Sequence, residues 1–219
     1  NSADTTYVLS ANNIENFSSN SKNGILESLS LIEEVCGITF NILSDGDTSN
    51  ADIMLWGSSS LAGGNLGVSV HGGGGGTTSS GGTGDTYNDV YVNTGVTNYD
   101  ANFSSNSGKG SDAFYTWVHE IGHSLGLGHP HDNGFWTWST GVDAYDGYGG
   151  YNYGIHTVMS YNAYADDYPF VSGLQQGNSY TSTGSAVLGA YDIYALQQMY
   201  GTNSSHNSGD TTYSLSDYS

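Results

Sequence analysis

Three histidines and a glutamate lie close together in the stretch HEIGHSLGLGHP, His119 to Pro130. Residues four apart share one face of an α-helix, so His119 and His123 can present their imidazoles to a single ion. A third ligand requires the chain to turn back sharply. Gly126 can take a positive φ at little steric cost, which ends the helix and returns His129 to the same ion. Three nitrogen ligands at about 2.0–2.1 Å leave a tetrahedral zinc one open position, and an open position separates a catalytic zinc site from a structural one. Water is expected there, and the carboxylate of Glu120, adjacent to the first ligand, can reach it as a general base.

These side chains need a helix and a core beneath it. Ser111 or Asp112 is the expected N-cap, and Phe114, Trp117, Val118, Ile121 and Leu125 form the apolar stripe, leaving the ligands on the opposite edge. An earlier helix is predicted over about 22–36, with Ile25, Leu29, Ile32 and Cys36 at helical spacing and Gly37 as stop signal. Ile38, Phe40 and Ile42 alternate with Thr39 and Asn41 as a half-buried strand. Further strands are expected at Asp52 to Trp56, Leu66 to Val70 and Asn88 to Val92. Leu188, Tyr191, Ala195 and Met199 mark a last helix that stops at Gly201. His71 to Asp85, almost all Gly, Ser and Thr, suits an exposed loop, and His131 to His156 reads as an ordered loop around the cleft.

Other candidates are weaker. The acidic loop with Asp45, Asp47, Ser49 and Asp52 hints at calcium, but Asn50 and Trp56 stand where an EF-hand needs glycine and a bidentate glutamate, so a solvated turn is expected. Cys36, the only cysteine, is expected to be a buried helix-end residue. His71 is assigned a solvent or turn role. His131 and His156 flank the motif and could tune it, although a hydrogen-bonded or exposed imidazole is the expectation for each. Asp192 is expected to be a satisfied structural carboxylate rather than a calcium ligand; support of the nearby methionine-containing turn is the other possibility.

Composition narrows the partners. With 2 Lys+Arg against 21 Asp+Glu, the formal charge is −19 at pH 7, and the cations are Lys22 and Lys109 alone. Phosphate binding needs clustered Lys and Arg, so nucleic acid is excluded, and anionic membrane surfaces are disfavoured. No apolar run is long enough to span a bilayer. At 219 residues the chain suits one domain or two small lobes. Starting at Asn1 with no signal peptide, it reads as a mature or trimmed chain.

His119, Glu120, His123, Gly126 and His129 fill every fixed position of HExxHxxGxxH, the motif of the metzincin endopeptidases. Met159 follows 159 − 129 = 30 positions after the third histidine, and TVMSY resembles the SxMSY turn of serralysins. His129-Pro130 and the DIxAxQxxYG pattern at Asp192, Ile193, Ala195, Gln197, Tyr200 and Gly201 strengthen the resemblance to that family's catalytic domain. His131 departs from it, since serralysins usually carry glycine there. The chain also stops at Ser219, where the family continues into glycine-rich calcium-binding repeats, and it has no GGxGxD.

The resemblance implies an α+β metzincin fold: a twisted mixed sheet with long helices in an upper lobe (about 1–129), and a Met-turn and last helix in a lower lobe (about 130–209), with the cleft between them and 210–219 beginning a further module or tail. It implies a secreted, monomeric zinc endopeptidase acting on proteins or peptides, with zinc on His119, His123 and His129 and calcium as an additional candidate. Glu120 is then the acid and base. Tyr161 is a weak extra metal ligand that swings to the oxyanion. A substrate strand would lie beside the edge strand Leu66 to Val70, and a chain so acidic should disfavour Asp and Glu flanking the scissile bond. Two other functions are weighed: a zinc hydrolase of a non-peptide amide, and a non-enzymatic Gly- and Tyr-rich matrix or binding module. The latter leaves Glu120 unexplained.

Overall fold

The computed structural model of the chain describes residues 6–10, 17–43, 51–58, 61, 65–71, 88–95, 108–109, 111–131, 152–161 and 188–210. Its elements are β1 (Thr6–Ser10), α1 (Ser19–Val35), β2 (Thr39–Leu43), β3 (Ile53–Ser58), β4 (Gly67–His71), β5 (Asn88–Asn93), α2 (Asp112–Ser124) and α3 (Ala190–Tyr200). This is a mixed α+β arrangement. The strands form one five-stranded sheet in the order β2-β1-β3-β5-β4. β1 runs parallel to β2 and β3, and β3 parallel to β5, while β4 pairs antiparallel with β5 from Gly67 opposite Val92 to His71 opposite Asn88. Parallel neighbours cannot be joined by a tight hairpin, and α1 supplies the crossover from β1 to β2.

β1 is absent from the sequence reading, and its partners lie well downstream. The other strands and all three helices fall where periodicity and caps place them, with ends shifted by a few residues. The exception in burial is Ile42, expected to face the core but 41% exposed. It lies near the end of β2, an edge strand paired on one side only.

One core holds the layers together. Ile25, Leu29 and Ile32 of α1, Ile53 and Leu55 of β3, Val90 and Val92 of β5, and Phe114, Trp117, Val118 and Ile121 of α2 are all buried in it. Phe17 meets Trp117 edge to face, with ring centroids 5.6 Å apart. α2 lies between α1 on one side and β4 and β5 on the other. His119 and Glu120 are buried along with the apolar stripe, while Tyr115 and His123 are partly buried. A buried polar face of this kind must be satisfied internally or by a ligand.

α3, the segment after it and β5 bond the ends of the other two helices. Gln197 Nε2 donates to Val35 O (2.8 Å) and Asn203 Nδ2 to Glu33 O (2.6 Å), both at the end of α1. Tyr200 Oη donates to Leu125 O (2.6 Å), and Asn88 Nδ2 to Ser124 O (3.0 Å), so carbonyls left over at the end of α2 are capped from two directions. The acidic loop at 45–49, the glycine run after His71, the loop at 132–151 and the tail at 211–219 lie outside the described residues.

Candidate metal centre

The motif helix starts as its sequence demands. Ser111 Oγ accepts from Phe114 N–H (3.1 Å) as N-cap and donates to Gly108 O (2.8 Å). At the other end Gly126 has φ +98°, its N–H reaches His123 O (2.8 Å), and Leu127 N–H reaches Gly122 O (3.0 Å). That pair of bonds is a Schellman motif, which a side chain at Gly126 would strain. The chain leaves it in the direction of His129.

The three imidazoles converge. Nε2 of His119 is 3.1 Å from Nε2 of both His123 and His129, and the latter two are 3.0 Å apart. His119 Nδ1 lies 2.8 Å from Val158 O and His123 Nδ1 2.8 Å from Leu127 O. A carbonyl oxygen can only accept, so each Nδ1 carries the proton and each of these Nε2 atoms turns a lone pair inward. Lone pairs aimed at one another repel, and a cation between them removes the conflict. Tetrahedral zinc with bonds of about 2.0–2.1 Å wants ligand nitrogens about 3.3–3.4 Å apart, a small relaxation from the spacing found. The residues fit such an ion, and among those described they form the group able to hold one. Burial, reinforced by the neighbouring His123, pulls the His119 pKa down to about 3, which keeps it a neutral ligand.

Glu120 is buried beside this cluster and against β4. Burial pushes its carboxyl up to about 8, opposed by a hydrogen bond from the Ser69 backbone. A bound cation would oppose the shift further. A Cβ on Gly67 would come within 2.5 Å of Glu120 Cγ and 2.8 Å of Thr116 Cγ2, so β4 approaches the glutamate closely only because residue 67 lacks a side chain. The sequence reading missed Gly67; a glycine inside an apolar strand pattern was its available signal.

Met159 is buried, and a Cβ on Gly122 would sit 3.2 Å from its Sδ. The turn that carries Met159 is held from α3. Asp192 Oδ1 accepts from Thr157 Oγ1 (2.6 Å), and Asp192 Oδ2 accepts from the N–H groups of Val158 (2.7 Å) and Gly189 (2.8 Å). Burial raises the Asp192 pKa to about 6, against the pull of these three bonds. It is thus both a satisfied carboxylate and a support for the turn. Gly189 permits the approach, since a Cβ there would overlap His156 O. Tyr115 Oη donates to Ser160 O and fastens the turn to α2.

Tyr161, 43% exposed, places its ring 4.6 Å from that of His129. His131 stacks on His129 at 4.8 Å with planes 16° apart and lies 4.7 Å from Tyr161, which puts it at the site rather than merely near it in sequence. His156 goes elsewhere, beside Tyr191 at 5.5 Å. Cys36 is buried, its thiol donating to Ile32 O (3.3 Å) and its pKa raised by burial.

The profile of Metallo-peptidase family M12 matches residues 3–170. The chain is similar to Serralysin G of Dickeya chrysanthemi, 36% identical over 101 residues that cover 45% of this chain and 18% of that protein. Serralysin C of the same organism is 33% identical over 135 residues, covering 56% and 24%, and Metalloprotease AprA of Pseudomonas entomophila (strain L48) is 34% identical over 110 residues, covering 48% and 20%. The chain therefore spans about a fifth to a quarter of the length of these relatives.

Proposed function

Because the chain belongs to Metallo-peptidase family M12 and is a serralysin-like metzincin domain, we propose that it is a secreted zinc endopeptidase in which His119, His123 and His129 hold the metal and Glu120 moves the proton. The observation that carries this reading is the convergence of three Nε2 atoms within 3.0–3.1 Å of one another, with a buried carboxylate next to the first of them. An ion held there supplies Lewis-acid polarisation of the scissile carbonyl and acidifies a water.

The protein's own residues do the rest. Glu120 accepts the proton of the attacking water and returns it to the leaving amine; a carboxyl whose pKa burial drives upward is suited to both halves of that task. The Tyr161 phenol would be a weak additional ligand to a bound metal and would donate a hydrogen bond to the oxygen that becomes anionic. β4, at the end of the sheet, offers an edge along which an extended peptide adds as a further strand, which makes affinity largely independent of sequence. The turn bearing Met159 plays the Met-turn part. Residues up to about 129 and those from about 130 to 209 form the two lobes of the cleft, in a monomer. Calcium has no support among the described residues, its candidate loop at 45–49 lying outside them.

The test joins metal analysis to turnover of casein and a peptide library. One zinc per chain with peptide cleavage is expected, and His129→Ala should lose both. Tyr161→Phe should lower kcat by about 10²–10³ with little change in KM, since its partner develops only near the transition state. Stoichiometric zinc with no peptide cleavage would overturn the peptidase assignment, and an unchanged kcat in Tyr161→Phe would remove that residue from the mechanism.

A further inference from the structure

Resting on the zinc reading above, we propose that Asp192 and Thr157 are positioning residues for the ligand His119, acting on it through the Val158–Met159 peptide group. That peptide is bonded at both ends. Its carbonyl, on Val158, accepts from His119 Nδ1 at 2.8 Å. Its N–H, on Met159, donates to Thr157 Oγ1 at 3.1 Å, and the same hydroxyl donates onward to Asp192 Oδ1 at 2.6 Å. The path from carboxylate to imidazole is continuous, and Thr157, Val158, Met159, His119 and Asp192 are all buried.

The direction of each bond matters. The hydroxyl spends its proton on Asp192 and so offers lone-pair density to the Met159 N–H. A donor bonded in this way polarises its amide, and the carbonyl at the other end becomes the stronger acceptor for His119, by about 10–30% per bond in a cooperative chain. Metal-bound histidines usually give their second N–H directly to a carboxylate or a carbonyl, which sets the tautomer and raises ligand basicity. Here a hydroxyl and a peptide plane are interposed between carboxylate and ring. Asp192 cannot turn away from this duty, since Oδ2 is held by the N–H groups of Val158 and Gly189.

The chain of bonds predicts a difference between two ligands of one ion, because the carbonyl that receives His123 belongs to the turn at Leu127. In the zinc-loaded native protein, nuclear magnetic resonance should place the His119 Nδ1–H proton further downfield than that of His123. Thr157→Val should weaken zinc binding about 10–100-fold in chelator competition and move the His119 Nδ1–H signal upfield while leaving His123 in place. Thr157→Ser, which keeps the hydroxyl, should restore both, and Asp192→Asn should act in the same direction as Thr157→Val. Thermal unfolding of the metal-stripped variants shows which are folded. If native protein binds no zinc through the three histidines, the zinc reading fails and takes this proposal with it. If it binds zinc, but folded Thr157→Val binds as tightly or His119 and His123 signals coincide in the native protein, the proposal fails and the zinc reading stands.

Discussion

The sheet has two edges, and each meets a glutamate from the helix beneath. At β2, Glu33 of α1 accepts from Phe40 N–H (2.6 Å), and at β4, Glu120 of α2 accepts from Ser69 N–H. The bond type is the same at both edges. Their surroundings differ: Glu33 is half-buried beside a strand whose Thr39, Asn41 and Ile42 are exposed, whereas Glu120 is buried next to three convergent histidines. A carboxylate that satisfies a strand edge becomes a chemical group when water is removed from around it and a metal pocket is placed beside it.

The strongest way to break this comparison is to delete both glutamates. Glu120→Ala should retain zinc and fold yet lose about 10²–10⁴-fold in kcat, while Glu33→Ala should leave kcat intact and cost about 1 kcal/mol of stability through the lost bond to Phe40 N–H. Comparable activity in the two variants, measured on one peptide substrate, would show that the edges are equivalent.

Next in size is the backbone itself. Gly67→Val forces Glu120 or Thr116 aside, for an expected cost of about 1–3 kcal/mol and a loss of at least about 10-fold in kcat/KM from the displaced carboxylate. Asn41→Val on the exposed edge should stay within about 0.5 kcal/mol of the native protein and keep full activity. Denaturant unfolding and steady-state kinetics read both; a fully active Gly67→Val protein contradicts the close approach.

A third difference is a slope of stability against pH. In chelator-stripped protein, Glu120 binds its proton more tightly folded than unfolded, its pKa rising from 4.5 to about 8. The folded state then holds the extra proton between those values, so this group makes stability fall as pH rises through that window. Glu120→Gln should flatten the fall. Unfolding midpoints at pH 5 and pH 8, compared between the two proteins, check it, and an unaltered slope would remove Glu120 as its source.

Much of the site was legible because its requirements are local. The helix pair His119 and His123, the cap Ser111 and the turn glycine Gly126 are set by spacings of a few residues, and the structure has each in its expected role in the local geometry. What escaped depends on contacts between distant segments. β1 pairs with β2 and β3 in parallel, so no hairpin signal accompanies it. Gly67 matters because α2 packs close against it, a relation that no window of sequence displays; Asp192 was legible as a structural carboxylate or a support for the turn, and only its partners Thr157 and Val158 were not. The misplaced Ile42 has the same origin: alternation reports two faces of a strand, and only the strand's position in the sheet decides whether either face is covered.

The bond from Tyr200 to Leu125 spans 75 positions. During synthesis, at about 5–20 residues per second, the histidine-bearing helix leaves the ribosome about 4–15 s before the tyrosine that caps its end. Asp192 emerges late in the same interval, so until α3 is made Leu125 O and then the turn bearing Met159 lack their partners from it. A chain made in this order has its histidines before the last clasps on their support.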